Sequence, residues 1–165
     1  MVDTPGLRSS YANTEYVLLH KIIEQVSGRS YETYLDQVIL KPLRLNNTGV
    51  ARSGKKIRGL VQAYSYNDST RIFTRDEDYL PEMYFGAGFL YSSAQDLLTL
   101  DDAIFNNRLL QKQTTDQLLT INETLGYTAY GFWGSTGWGN FQEPFYYRAG
   151  GYYAFRAIST GLFTH

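Results

Sequence analysis

At 165 residues the chain has the length of about one domain, enough to bury a core. Fifteen Lys+Arg against sixteen Asp+Glu leave a net charge of -1, and no window clusters the uncompensated cations that a nucleic acid requires. Zero cysteines exclude disulfides, thiolate nucleophiles and Cys-type zinc sites; two histidines argue against a His-built metal centre, and no apolar run is long enough to cross a bilayer.

The opening "MVDTPGLRSS" has no apolar signal-peptide core. From Thr14 to Val26 the residues Leu19, Ile22, Ile23 and Val26 share one face of a predicted helix, with Lys21, Glu24 and Gln25 opposite, and Ser27-Gly28 ends it. A second helix is expected with Ser30 as N-cap and Tyr31, Tyr34, Leu35 and Val38 on its inner face, stopping at Pro42. "LVQAYSYNDSTRIFTR" (60–75) reads as a hairpin turning at Asn67-Asp68. The Gly-rich stretch 84–93 feeds a third helix, with Ser93 and Asp96 at capping-box spacing. A short helix over 113–120 follows, then strand-like runs at 127–134 and 143–159 on either side of "STGWGN". The fold class is therefore α+β, a mainly helical part with a hairpin over 1–125 and sheet strands over 126–165. The final "YYAFRAISTGLFTH" still reads as strand where it stops, so an incomplete sheet with an exposed, association-prone edge is expected.

Fifteen tyrosines and nine phenylalanines are the one compositional oddity. Tyrosines pack their rings and leave the hydroxyl to water or a carbonyl; the sharper alternative is a stacking surface for sugars or peptides. Among polar candidates, Tyr11-Ala12-Asn13 sits where the first helix begins, and capping by Asn13 or Thr14 would account for it. Arg148-Ala149-Gly150-Gly151 lies in a late strand, where glycines mark a bulge or a close backbone approach. His20 falls at the edge of the first helix's apolar face, as a packed residue would, and His165 has no context. Asn46, Asn67 and Asn122 each open an Asn-x-Ser/Thr triplet and read as plain turn residues.

In order and spacing, "PGLRSSYANTEYVLLHKIIEQVSGRSYETYLDQVILKPLRLNNTGV" (5–50), "GAGFLYSSAQDLLTLDDAI" (86–104) and "YRAGGYYAFRA" (147–157) resemble successive segments of the serine β-lactamase and penicillin-binding-protein family, in its esterase and class C-type branch. The resemblance implies a partial β-lactamase/transpeptidase-like fold and acyl transfer through a serine. It implies Tyr11 as acid/base, a role that calls for neighbouring cations because a phenol has a pKa near 10. It implies that Asn13 hydrogen-bonds the substrate amide, and that Arg148, Ala149 and Gly150 bind substrate on a strand. Arginine replaces the usual Lys or His there, keeping carboxylate recognition better than proton transfer. No cofactor or metal is implied.

The family's Ser-x-x-Lys nucleophile motif precedes Tyr-x-Asn by many tens of residues and has no counterpart here. Ser53-Gly54-Lys55-Lys56 matches by chance, in a polar loop after Tyr11 with a helix-breaking glycine. Two readings follow. In one the chain is the C-terminal part of a serine hydrolase, inactive alone, whose whole acts on β-lactams, D-amino peptides or esters. In the other it is a non-catalytic module binding cell-wall peptide or glycan. Relatives are commonly exported, but the sequence fixes no compartment.

Overall fold

A computed structural model describes residues 4, 6–76, 81–135, 142–152 and 155–162. Helix α1 is Asn13–Ser27, closed by Gly28 at φ 65, whose N–H reaches the Glu24 carbonyl. Its inward face differs from the sequence expectation. His20 is its buried residue, with Tyr16 and Ile23 half-buried beside it, whereas Leu19, Ile22 and Val26 are exposed. The apolar stripe is genuine, but the elements that pack on α1 meet its other side.

That other side is an aromatic box. His20 stacks on Tyr31 with ring centroids 4.5 Å apart, and Phe85 and Phe89 close the box at 6.0 and 5.8 Å. Gly86 lets its loop approach this closely: at φ 70, a Cβ there would lie 2.4 Å from the Tyr16 carbonyl oxygen and 2.7 Å from His20 Cβ, so only glycine fits. Beneath the box Leu35, Val50 and Phe89 form one small core.

Helix α2, Tyr31–Leu35, begins at Ser30, whose Oγ accepts the Thr33 N–H. It runs on through a π-helical turn, Asp36–Leu40, into α3, Lys41–Leu43. Pro42 therefore does not stop the helix as expected. Around the proline, which has no N–H to give, bonding shifts to wider turns, Lys41 N–H to the Asp36 carbonyl and Leu45 N–H to that of Leu40 (2.8 Å), before Arg44 at φ 56 ends the run.

Strand β1 (Gly49–Val50) pairs with β4 (Leu90–Tyr91), and β2 (Tyr64–Asn67) with β3 (Ile72–Arg75). The β2–β3 turn is made by Asn67, whose Oδ1 accepts the N–H groups of Ser69 and Thr70, both at 3.0 Å. Asn122 likewise caps a short turn, accepting the Leu125 N–H at 3.1 Å. Helix α4, Ala94–Phe105, is capped by Ser93 as predicted, but Asp96 does not complete a capping box. Its carboxylate instead holds the 47–48 turn, accepting Asn47 N–H and Thr48 Oγ1–H, both at 2.8 Å. Helix α5 is Lys112–Leu118.

The four remaining strands, β5 (Thr128–Ala129), β6 (Phe132–Ser135), β7 (Phe145–Tyr152) and β8 (Phe155–Leu162), form an antiparallel sheet in chain order. Each of the two predicted strand runs is thus a hairpin; Gly131 at φ 83 turns the first. Phe132 and Tyr146 face α4 and α5, making the second core with Ile104 and Leu119. Tyr146 donates to the Leu119 carbonyl at 2.7 Å, and burial pushes its phenol pKa up.

Candidate active site

Tyr11 and Asn13 stand at the start of α1, yet neither caps it. The N-cap is Ala12, which supplies no side-chain bond, and the Asn13 Oδ1 accepts the Tyr11 hydroxyl at 3.1 Å. Capping therefore does not explain the pair: the carboxamide faces outward, its NH2 unclaimed by any described residue. Tyr11 is 65% exposed. Among the described residues it also meets two rings, Tyr16 at 6.2 Å and Trp133 at 6.1 Å between centroids.

Trp133 carries this site to the sheet. It pairs in register with Tyr147 and stacks on it at 5.7 Å, so Tyr11 lies alongside β6 and the first half of β7. Past Tyr147 the register with β6 ends, while pairing with β8 continues from Arg148↔Ser159 through Ala149↔Ile158 and Gly150↔Ala157. Among the described residues, the edge of β7 from Arg148 to Tyr152 that faces away from β8 has no strand on it. Of the two expectations for the glycines, a bulge or a close backbone approach, the bulge is absent, since the register runs unbroken. A Cβ at Gly150 would meet nothing within 4 Å, so the strand is open there. Such an edge can pair with an extended substrate backbone.

Arg148 is engaged on the α4 side. Its guanidinium bonds Asp101, which also takes the Ser159 hydroxyl, and lies 4.6 Å over the Phe132 ring. Burial lowers the Arg148 pKa. A substrate carboxylate meeting this cation would share it with Asp101. Asp101 was not singled out from the sequence, although an acid between Leu100 and Ala103 on a helix's apolar side signals a buried pair; Trp133 and Tyr147 were likewise missed.

Among the described residues, the contacts of Tyr11 are Asn13 and two rings. The neighbouring Tyr16 has its pKa raised, by burial first and then by Tyr11 and Glu15. Ser53 is no nucleophile candidate: its hydroxyl donates to Glu82 Oε2 at 2.5 Å in an exposed turn, and no helix begins there. His20 is occupied by packing, with Nε2 3.4 Å from Glu24 Oε1 and, among the described residues, no partner for Nδ1. His165 lies outside the described residues.

Glu24 ties α1 to α2, and this tie carries a pH signature. The bond from Lys21, then that from the Tyr31 N–H, hold its carboxyl at about 2, against an ordinary 4.5. A depressed folded-state pKa means the tie is complete above pH 4.5 and is lost as pH falls through about 2. We expect exchange of the Tyr31 amide hydrogen, corrected for intrinsic rate, to accelerate across that window, and Glu24→Gln to abolish the pH dependence.

The Beta-lactamase family profile matches residues 1–161. The chain is 31% identical over 126 residues to a teichoic acid D-alanine hydrolase of Staphylococcus aureus, covering 74% of this chain and 31% of that protein. It superposes on a D-stereospecific amidohydrolase from Streptomyces with a TM-score of 0.83 and 26% identity, over 97% of this chain and 48% of that one. A penicillin-binding protein homologue from Pyrococcus abyssi, described as octameric, shares the fold with a TM-score of 0.80 at 24% identity, over 98% and 37%. The chain thus spans about a third of the length of the curated relative and under half of each structural neighbour. A family profile that matches nearly the whole chain, with relatives and folds of this kind beside it, shows that the chain belongs to the beta-lactamase family.

Proposed function

We propose that this chain is the C-terminal part of a serine hydrolase that transfers an acyl group from a D-amino-acyl ester or amide, or a β-lactam, to water. The observation that carries this reading is the bonded Tyr11–Asn13 pair, linked through the Trp133 and Tyr147 rings to the strand whose edge is open past Tyr147. In this reading the β7 edge pairs with the substrate backbone at Ala149 and Gly150, and Asn13 offers its free NH2 to the substrate carbonyl. Tyr11 takes the nucleophile's proton and returns one to the leaving group. Arg148, held by Asp101 on the α4 face, fixes the strand that carries Ala149 and Gly150. The names of the Staphylococcus and Streptomyces relatives favour D-configured substrates. The serine itself comes from a Ser-x-x-Lys segment outside these 165 residues, so the chain alone forms no acyl-enzyme.

The test is to express the chain alone and with the native DNA upstream of its first codon, and to treat both with a fluorescent penicillin and a chromogenic D-alanyl ester. Labelling and turnover are expected with the longer product alone. Covalent labelling of the 165-residue chain would show that it holds its own nucleophile; an upstream frame without Ser-x-x-Lys would remove the hydrolase reading. A second reading, a module that binds cell-wall peptide or glycan, draws on the row Tyr11, Trp133 and Tyr147. It predicts retention on peptidoglycan, lost in Trp133→Ala, without turnover.

A further inference from the structure

Asp101 decides what Arg148 can do beside the open edge of β7. An arginine at such an edge would ordinarily grip a carboxylate, because its planar fork offers parallel N–H donors to two oxygens. Here the guanidinium is already committed. It donates to Asp101 Oδ1, and its flat side lies 4.6 Å over the ring of Phe132 from β6. The cation is thus laid over the α4 face of the sheet.

Asp101 is itself fixed. Its side chain is 12% exposed on the inner side of α4, two residues before the fully buried Ala103. Its second oxygen accepts the hydroxyl of Ser159, the β8 residue in register with Arg148. A substrate carboxylate that displaced Asp101 would leave a nearly buried anion without its cation, and one that shared Arg148 would lie within a guanidinium's width of a like charge. What the edge offers freely is backbone. Ala149 and Gly150 carry no polar side chain, and their N–H and C=O groups suit the carbonyls and amides of an extended neutral substrate.

We propose that Asp101 is a positioning residue that sets specificity: it withholds Arg148 from the substrate, so the acyl donor bound at the β7 edge is an ester or amide with no free carboxylate beside its scissile bond. The substrate class rests on the hydrolase reading above; the withheld cation does not. Of the donors named there, D-amino-acyl esters and amides fit, and a β-lactam draws no benefit from its carboxylate.

The test compares a fluorescent penicillin with its methyl ester, which differ in that carboxylate alone, on the longer product read from the native upstream DNA. Acylation rates within about twofold of each other are expected for the native sequence. Asp101→Asn keeps an acceptor for Ser159 and removes the charge, so it should favour the free acid by about tenfold or more, the worth of one hydrogen bond between charged groups. A native preference for the acid of that size, lost in Arg148→Met, overturns the proposal, as does a ratio that Asp101→Asn leaves unmoved. A second arm needs no chemistry: acetate is titrated into the 165-residue chain and followed by NMR at the Arg148 side-chain Nε–H. No saturable shift is expected in the native chain, and a saturable one in Asp101→Asn. A saturable shift in the native chain overturns the proposal, whether or not the variant folds. If neither penicillin compound acylates while the native Arg148 resonance stays still, the hydrolase reading falls with the substrate class and the withheld cation stands.

Discussion

Asp101→Ala lowers the stability of the chain by about 2–4 kcal/mol, measured by urea unfolding. The carboxylate is 12% exposed and takes two partners at once, the Arg148 guanidinium from β7 and the Ser159 hydroxyl from β8. Removing it leaves a cation over the Phe132 ring with no counter-charge, and a hydroxyl without its acceptor. Arg148 is 29% exposed, so water relieves part of the cost and the loss falls short of that for a fully buried pair. Arg148→Met alone is expected to cost a similar amount, because Asp101 is then the unpaired charge. The double change Asp101→Leu with Arg148→Met should recover most of the loss. A double mutant whose loss equals the sum of the two single ones would show that the residues do not act as a pair.

In the proposed hydrolase, tested as the longer product read with the upstream DNA, Tyr11→Phe is expected to lower kcat about 100- to 10,000-fold, the range that positioned proton transfer supplies. The fold should not notice: the ring contacts remain, and the hydroxyl's single bond is to exposed Asn13, so the stability change stays within about 0.5 kcal/mol. Asn13→Ala is expected to act differently, raising KM more than it lowers kcat, since it removes a substrate contact and leaves the proton path in place. Full activity in Tyr11→Phe would assign the proton transfer to another group.

Much of the local structure was legible from residue order. Ser30 and Ser93 cap helices because a short hydroxyl side chain in extended backbone reaches the N–H groups of the next turn. Asn67 folds the hairpin turn by the same local means. The Pro42 stop and the Asp96 capping box were misread because each depended on something off the local pattern. The helix absorbed the proline by widening its turns, and the Asp96 carboxylate found stronger use on a segment 48 residues away. The split of each late strand run into a hairpin was foreshadowed only by Gly131.

The sequence by itself determined most of the helices, the β2–β3 turn, the family and the residue types of the candidate site, because capping, periodicity and motif spacing are properties of neighbours along the chain. Only the tertiary structure decided which side of α1 faces the aromatic box, that Asn13 bonds Tyr11 instead of capping, and that Arg148 answers to Asp101 across the core. Both sides of α1 are apolar, so its pattern cannot choose between them; the choice falls to Gly86 and the rings it lets approach. A charge on a strand has no partner until another element folds over it, and here that element is α4.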